Sequence, residues 1–309
     1  MKPILHKVQK KISETASDFS YRLEQVKYAQ KLPALSPVDR QIVDEINHEG
    51  VAVRSLDDLC FSSTPSLQEA SNRLIQNLGK SAFANPEEIE YEEGFRHCAP
   101  VNPSRIAKEY PALYLWGLDD RILNIVENCI GLPIAYHGVI ARKEVNDGKQ
   151  VGTRLWHRDQ DDRNIIRISI YLNDVGIEDS PFEYIPKSLT PSMRSFKASN
   201  YVIDDDAMAT VVPPCQWKAC TGLAGTIVFA AAAKVFHHGR VPRSNRQRIA
   251  ASYHYTSRQP TNPQLCKLFS FKSGIPFLDH PFTARQREVL WEYQNLLPQR
   301  KQEKAYCHS

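Results

Sequence analysis

The spacing of apolar residues changes near residue 130. Before that point apolar side chains recur at helical intervals and β-branched runs are few, which predicts helices near 4–30, 37–48, 66–78 and 118–130. Asp119 and Asp120 stand at the start of the last segment, where carboxylates favour the positive end of a helix, and Gly131 follows its end. Residues 1–130 are therefore predicted to form a mostly helical front.

Beyond residue 130 the apolar residues gather in short runs rich in β-branched and aromatic side chains, with Gly, Pro, Asn and Asp between them. The runs are PIAYHGVIARKEV, IIRISIYL, TVVPP, GTIVFA and RIAASYHYT. No long helical pattern interrupts them, so the strands are expected to pair antiparallel in a sandwich or barrel rather than in βαβ units. We predict a mainly β core with peripheral helices, the core spanning residues 131–258.

The C-terminal part is irregular and rich in proline until the segment PFTARQREVLWEYQNLL. In that segment Thr283 and Gln286 have the spacing of a capping box ahead of an amphipathic helix. Residues 259–309 are predicted to form an extension with one helix. We expect the front and this extension to pack outside the core, so that residues 1–309 form a single domain.

Composition narrows the functional classes. The 309 residues include 42% hydrophobic and 24% charged side chains, which is ordinary for a soluble globular protein. A formal charge of +4, from 39 basic and 35 acidic residues, is too balanced to indicate nucleic acid or an anionic membrane as an obligatory partner. We therefore expect a small-molecule substrate, with no nucleic acid or membrane partner.

Cysteine usage and the chain's apolar runs indicate the compartment. Seven cysteines are scattered, odd in number and never arranged as CxxC, which argues against a disulfide framework or a thiolate zinc site. No apolar run approaches the roughly 20 residues needed to span a bilayer. The start, MKPILHKVQKKISET, lacks the apolar region of a secretory signal. A cytoplasmic protein is expected.

A first candidate for metal chemistry is the segment WHRDQDD, in which His157 and Asp159 are spaced as H-x-D. Residues i and i+2 of an extended segment project from the same face, so this imidazole and this carboxylate could converge on one ion. A polar loop ahead of a strand explains the pair equally well.

A third ligand would make the assignment of His157 and Asp159 to a metal site more specific. Two histidines and one carboxylate on one face of an octahedron form the facial triad of mononuclear non-haem iron(II), which leaves three positions open. Oxygenases that use this triad with 2-oxoglutarate also need a cation for the far carboxylate of the co-substrate. Arginine suits that role because its planar fork makes two parallel charge-assisted hydrogen bonds.

The segment HHGRVPRSNRQR supplies both missing parts, since His237 and Arg248 are separated by ten residues. We expect one strand to carry His237, a turn at 242–245 to reverse the chain, and the next strand to bring Arg248 back beside the histidine. His237 is taken as the ligand, because counting from His238 would leave a gap of only nine residues. Neighbouring strand residues point to opposite faces, so both histidines cannot point at one metal. His238 is then expected to be packed outside the site or exposed.

Other polar residues near these segments are weaker candidates. Arg154 could touch the co-substrate, although an exposed position is favoured. Arg167, Ser169 and Tyr171 share one face of IIRISIYL, which could line the cavity or form the exposed side of a sheet. His254 is expected to be a buried histidine. Three further arginines are expected on a solvated turn: Arg240, Arg243 and Arg246.

Four elements of the sequence together resemble the phytanoyl-CoA dioxygenase family of iron(II)- and 2-oxoglutarate-dependent oxygenases. They are WHRD at 156–159, YLNDVGIEDSPFEYIPKS at 171–188, GTIVF at 225–229 and HHGRVPRSNRQR at 237–248. The resemblance covers roughly residues 130–256 and implies a double-stranded β-helix, also called a jelly roll or cupin-like fold. Two departures from the family are Lys187-Ser188-Leu189, where a Gly-Ser-His ending is usual, and the alanines at 230–233.

The resemblance implies that His157, Asp159 and His237 bind Fe(II) and that Arg248 pairs with the distal carboxylate of 2-oxoglutarate. It further implies that O2 and 2-oxoglutarate are consumed, with release of succinate and carbon dioxide, while a C–H bond of a small molecule is oxidised. Hydroxylation is the default outcome, and desaturation, cyclisation or demethylation are related ones. Specialised metabolite biosynthesis is the expected setting.

The sequence argues against one related function and leaves two others open. Asp159 argues against a related halogenase, because such sites replace the carboxylate with glycine or alanine to make room for a halide. A catalytically inactive ligand-binding β-helix module is one alternative, and retention of all four candidate residues argues against it. A nucleic-acid demethylase would share the triad, but it would be expected to carry a broad basic surface.

Overall fold

The computed structural model describes residues 17–78, 98–101, 103–196, 201–269 and 280–290. Its strands are β1 (Val51–Ser55), β2 (Cys98–Val101), β3 (Ile134–Val145), β4 (Ile166–Tyr171), β5 (Phe182–Tyr184), β6 (Lys218–Cys220), β7 (Thr226–Ala231), β8 (His237–Gly239) and β9 (Gln247–Ser257). Its helices are α1 (helical over 17–28), α2 (Pro37–Glu49), α3 (Leu56–Leu59), α4 (Thr64–Leu78), α5 (Pro103–Glu109), α6 (Pro111–Trp116), α7 (Asp120–Ile130), α8 (Asp205–Ala209) and α9 (Ala284–Val289).

The strands form two sheets in which every pair is antiparallel. The larger sheet has six strands in the order β1-β7-β4-β9-β3-β2, and the smaller has three in the order β6-β5-β8. Neighbouring strands that are distant in sequence, such as β4 and β9, show that the chain passes repeatedly between the two sheets. The antiparallel pairing expected of the β core is thereby observed, and seven of these nine strands lie within residues 131–258.

Side chains on the two faces of the larger sheet differ in character. The isoleucines of β4 (Ile166, Ile168 and Ile170) pack into one hydrophobic core with residues of α2, α4 and α7. The opposite face of β4 turns towards the smaller sheet, since the hydroxyl of Tyr171 accepts a hydrogen bond from the main-chain N–H of Phe182 on β5. The polar face of IIRISIYL therefore lines the space between the sheets.

The helices of the front begin and end where their capping residues predict. Ser36 accepts a hydrogen bond from the Asp39 N–H at the start of α2, and Asp119 caps α7 in the same way through Arg121 N–H. Gly50 and Gly131 end these helices in the left-handed conformation, with φ of 91° and 74°. The helices predicted near 37–48, 66–78 and 118–130 are observed, whereas residues 4–16 of the first one lie outside the described residues.

The structure departs from the expected elements at several places. TVVPP is not a strand: it follows α8, and the chain continues into a 3-10 turn at Pro214–Gln216, because two successive prolines cannot donate ladder hydrogen bonds. The front also contributes β1 and β2, which form the two edges of the larger sheet. At the other end, Thr283 and Gln286 form the predicted capping box at the start of α9.

Within the described part of the chain, no helix is long and apolar enough to cross a membrane. The cysteines whose side chains are described are free thiols: Cys60, Cys129, Cys215, Cys220 and Cys266.

Candidate metal site

His157 and His237 are brought together by the main chain. The His157 N–H donates to the His237 carbonyl at 3.0 Å, and the His237 N–H donates to the His157 carbonyl at 2.9 Å. The ring centroids lie 4.4 Å apart. Each Nδ1 atom faces a main-chain carbonyl, at 2.7 Å for Leu155 and 3.2 Å for Val235, so a proton on each Nδ1 directs the Nε2 lone pair into the site.

Asp159 completes a cluster of three potential ligands. Its N–H donates to the carbonyl of Ala232 at 3.0 Å, which anchors the residue beside the end of β7. Its Oδ1 lies 3.7 Å from His157 Nε2 and 3.8 Å from His237 Nε2. The three donor atoms lie within 4.8 Å of one another, so the structure brings together all three side chains that the sequence proposed as ligands.

The donor set fits ferrous iron. Two imidazole nitrogens and one carboxylate oxygen form the set that non-haem Fe(II) oxygenases use, whereas structural zinc sites are closed by four protein ligands. With ligand bonds of about 2.0–2.2 Å, donor atoms at right angles around one ion lie about 3 Å apart and opposite ones about 4.4 Å apart. The observed separations of 3.7 and 3.8 Å leave room for such an ion.

The protonation states at the cluster also favour metal binding. Burial lowers the pKa of His237 to about 3, and burial lowers the pKa of His157 as well. Burial by itself would raise the pKa of Asp159, but the Arg167 guanidinium and then the two imidazoles hold it well below its usual range. Two neutral imidazoles and an ionised carboxylate result, and metal ligands must be deprotonated in this way.

Arg167, for which the sequence allows either a cavity-lining or an exposed position, lies at this site. Its Nε donates to Asp159 Oδ2 at 2.6 Å, and the two side chains are 19% and 9% exposed. The only signal in the sequence was its position on the polar face of β4. Arg167 belongs to the site because Asp159, on the loop ahead of β4, contacts that face.

Arg248 lies at another place on the inner wall, close to Gly239 of β8. A Cβ atom on Gly239 would lie 3.1 Å from Arg248 Nη2 and 3.6 Å from Ser180 Oγ, so both side chains lie close to the Gly239 backbone and a larger residue there would crowd the guanidinium. The Nε of Arg248 and the Oγ of Ser180 are buried and have no hydrogen-bond partner among the described residues. Glu144, across the β3–β9 pair, places Oε1 3.8 Å from Arg248 Nη2.

Ser180 was not anticipated from the sequence. Its side chain is fully buried, and its backbone adopts φ of 69°, which non-glycine residues rarely do. Strain of this kind is typical of positions where the surrounding structure holds a functional group in place. No local pattern marks such a residue, because its surroundings come from β8 and β9.

The connection between His237 and Arg248 differs from the expected hairpin. β8 belongs to the smaller sheet and β9 to the larger one, so the turn at 242–245 carries the chain from one sheet to the other. Arg248 therefore reaches Gly239 across the space between the sheets rather than along a shared ladder.

His238 is packed outside the cluster, as strand parity predicted. It is buried, its Nε2 lies 2.8 Å from Glu183 Oε2, and its Nδ1 lies 2.9 Å from the Arg154 carbonyl. Its ring stacks on Trp156 with centroids 3.8 Å apart. His238 therefore supports the smaller sheet.

The expectation of an exposed Arg154 is wrong. The side chain is fully buried; it pairs with Asp147, donates to the carbonyl of Lys149 at 2.9 Å, and lies 3.5 Å from Glu144. Carboxylates on the preceding loop and strand explain the burial, because they compensate the guanidinium charge.

The remaining predictions about charged residues hold. His254 is fully buried, with Nε2 4.0 Å from Asp161 Oδ2. The three arginines of the turn are exposed and form ion pairs with acidic residues of the loop before β5 or of β5 itself: Arg240 with Glu183, Arg243 with Glu178, and Arg246 with Asp179.

No protein-family model matches the sequence, and no curated protein matches it. Solved structures do match. The epimerase SnoN, in complex with Fe3+, alpha ketoglutarate and nogalamycin RO, is 14% identical with a TM-score of 0.50, over 74% of this chain and 89% of that one. The alpha ketoglutarate dependent carbocyclase SnoK is 19% identical with a TM-score of 0.49, over 74% of this chain and 87% of that one. EctD from S. alaskensis, with 2-oxoglutarate and 5-hydroxyectoine, is 16% identical with a TM-score of 0.49, over 77% of this chain and 81% of that one.

The fold is a double-stranded β-helix. The likeness to SnoN, at 14% identity, shows that the two chains share a fold and does not show a shared function. The predicted mainly β, cupin-like core with peripheral helices is confirmed. The resemblance to the phytanoyl-CoA dioxygenase family in particular stays a prediction.

Proposed function

We propose that this chain is a non-haem iron(II), 2-oxoglutarate-dependent oxygenase acting on a small molecule. His157, Asp159 and His237 are proposed as the iron ligands, and Arg248 as the partner of the distal carboxylate of 2-oxoglutarate. The observation that carries the proposal is the convergence of the three donor atoms within 4.8 Å of one another. Two come from one loop and the third from β8, and a β-helix has no structural need for that convergence.

The spacing of His237 and Gly239 along β8 suits the length of 2-oxoglutarate. His237 and Gly239 project from the same face of β8, and two residues of a strand span about 6.6 Å. A five-carbon dicarboxylate bound to the metal through its keto acid end would therefore extend along β8 towards Gly239. Arg248 lies beside Gly239, where it could pair with the far carboxylate.

Ser180 is proposed as the second group that binds the far carboxylate. Its buried hydroxyl and the Arg248 Nε have no hydrogen-bond partner among the described residues, and buried donors of this kind are rarely left unused. An anion beside Gly239 would accept from both. Phe182 stacks on His237 with ring centroids 5.3 Å apart and adds an apolar surface beside this proposed ligand.

When bound, iron and 2-oxoglutarate supply the activation of O2, with release of succinate and carbon dioxide coupled to oxidation of a C–H bond. The residues of this chain hold and orient these groups and exclude water from them. Hydroxylation is the default outcome, and desaturation, cyclisation or demethylation would use the same machinery.

The substrate is proposed to be a small molecule of specialised biosynthesis. Support comes from the balanced formal charge of +4, which offers no general attraction to nucleic acid. SnoN, with which the chain shares its fold, comes from nogalamycin biosynthesis.

Succinate formation tests the proposal. The purified full chain is given Fe(II), ascorbate, 2-oxoglutarate and air, and succinate is measured by mass spectrometry with and without a panel of small molecules. We expect slow succinate release without substrate, faster release with a suitable one, and none from His237→Ala. The absence of succinate across the panel, with 2-oxoglutarate still bound, would instead indicate the inactive binding module.

A further inference from the structure

The contact between Arg167 and Asp159 has a consequence for how the proposed iron is held. Arg167 Nε lies 2.6 Å from Asp159 Oδ2, a short charge-assisted hydrogen bond. The other oxygen, Oδ1, is the one that lies 3.7 and 3.8 Å from the two imidazole nitrogens. The two carboxylate oxygens thus have different partners.

Both ends of this contact are fixed by the larger sheet. Arg167 lies on β4, between Ala230 of β7 and His254 of β9 in the ladder. The main chain of Asp159 is bonded to the Ala232 carbonyl, and Ala232 N–H is bonded in turn to the Ile165 carbonyl just ahead of β4. Rotation of the Asp159 carboxylate would therefore break its hydrogen bond to Arg167, and the main chains of both residues are held by the sheet.

We propose that Arg167 is a positioning residue that holds Asp159 as a one-oxygen ligand. The inference rests on the proposed function, since it concerns the same metal site. A carboxylate that bound iron through both oxygens would occupy two positions, and the protein would then take four of six. Only two would remain for 2-oxoglutarate and O2, which together need three. By occupying Oδ2, Arg167 keeps the third position open.

A structural ion pair is the competing explanation, and it predicts different measurements. An ion pair that only stabilises the fold affects unfolding and leaves the affinities for metal and 2-oxoglutarate unchanged. A positioning residue affects both affinities, because losing a group that orients a metal ligand typically weakens binding about 10–100-fold.

The test compares Arg167→Met with a matched control, Arg54→Met. Arg54 also forms a short pair with a carboxylate, 2.8 Å from Glu45, and its side chain is 17% exposed, but it lies on β1. Nickel(II) affinity is measured by calorimetry, 2-oxoglutarate is then titrated into the nickel-loaded proteins, and thermal unfolding is followed for each.

We expect Arg167→Met to bind nickel about 10–100-fold more weakly and the nickel-loaded variant to lose at least a similar factor for 2-oxoglutarate. Arg167→Lys should fall between, because lysine keeps the charge without the planar fork. Arg54→Met should match the wild type in both affinities. If Arg167→Met changes only thermal stability, the inference is overturned.

A crystal structure of the wild-type protein with nickel tests the same point without depending on the folding of a variant. One Asp159 oxygen on the metal and the other on Arg167 supports the inference, and both oxygens on the metal overturn it. A wild-type protein that binds no nickel would instead contradict the proposed function, so the two failures are distinguishable.

Discussion

His157 and His237 exchange both of their main-chain hydrogen bonds, at 3.0 and 2.9 Å. Residues that pair in this way on antiparallel strands have Cα atoms about 5.5 Å apart and side chains on the same face. The distance between the two imidazoles is therefore set by the backbone rather than by an ion. Asp159, two residues after His157, joins them from the same side.

The adjacent histidines should differ in their effect on metal binding. His237→Ala is expected to abolish iron binding, because it removes one of three ligands. His238→Ala should keep most of it, since this ring contacts Glu183 and Trp156 instead. It should lower the free energy of unfolding by about 1–3 kcal/mol, the effect of leaving a buried polar group without its partner. Metal titration and denaturant unfolding of both variants measure these effects, and reversed metal affinities would contradict the assignment.

Arg248 should determine 2-oxoglutarate affinity without affecting the metal. Hydrogen bonds to charged groups contribute about 1.5–3 kcal/mol each, so Arg248→Met is expected to weaken 2-oxoglutarate binding roughly 100-fold. Arg248→Lys should lose less, since it keeps the charge but not the fork. Calorimetry on nickel-loaded protein gives both affinities. Unchanged binding of 2-oxoglutarate would place the co-substrate elsewhere.

Two substitutions of Ser180 separate its hydroxyl from its strained backbone. Ser180→Ala and Ser180→Gly both remove the hydroxyl, so both should weaken 2-oxoglutarate binding by about 5–10-fold. Glycine adopts φ of 69° readily, so Ser180→Gly should be the more stable of the two by about 1 kcal/mol. If the two variants bind 2-oxoglutarate as well as the wild type, the hydroxyl is not a ligand-binding group.

Stability should fall in acid partly because of His137, a buried residue outside the proposed ligands. Burial lowers its pKa to about 3 from 6.5. Between these values the unfolded chain binds a proton that the folded chain does not, so the free energy of unfolding decreases as the pH falls from 6.5 towards 3. One such group contributes about 1.4 kcal/mol per pH unit in that window and nothing above it.

His137→Gln removes the titrating group and leaves an amide for the hydroxyl of Thr256, which lies 2.7 Å from the imidazole. The variant should show a shallower decrease of stability between pH 6 and about 4 than the wild type. Denaturant unfolding at a series of pH values measures the slopes. Equal slopes would show that His137 is protonated in the folded state as readily as in the unfolded one.

Patterns within one strand were sufficient for part of the site. The H-x-D spacing placed His157 and Asp159 on one face, and strand parity separated His237 from His238. The same parity grouped Arg167 with Tyr171, but it could not decide whether that face would be covered. The helices of the front were also predictable, because their periodicity and capping residues are local signals.

Errors occurred where an outcome depended on residues far away in the sequence. β1 is too short for its periodicity to be recognised, and it is a strand because β7 lies beside it. Arg154 is buried because Asp147 and Glu144 compensate its charge. The segment between His237 and Arg248 resembled a hairpin, since a turn has the same residues whether it joins strands of one sheet or of two.

The sequence by itself determined which side chains can act as ligands and which of them share a face, because alternation along a strand follows from backbone geometry alone. Only the tertiary structure decided that β8 and β9 lie in opposite sheets, that Gly239 lies beside Arg248, and that Arg167 holds one oxygen of Asp159. These relationships join residues that are distant in the chain, and they exist only once both sheets are packed.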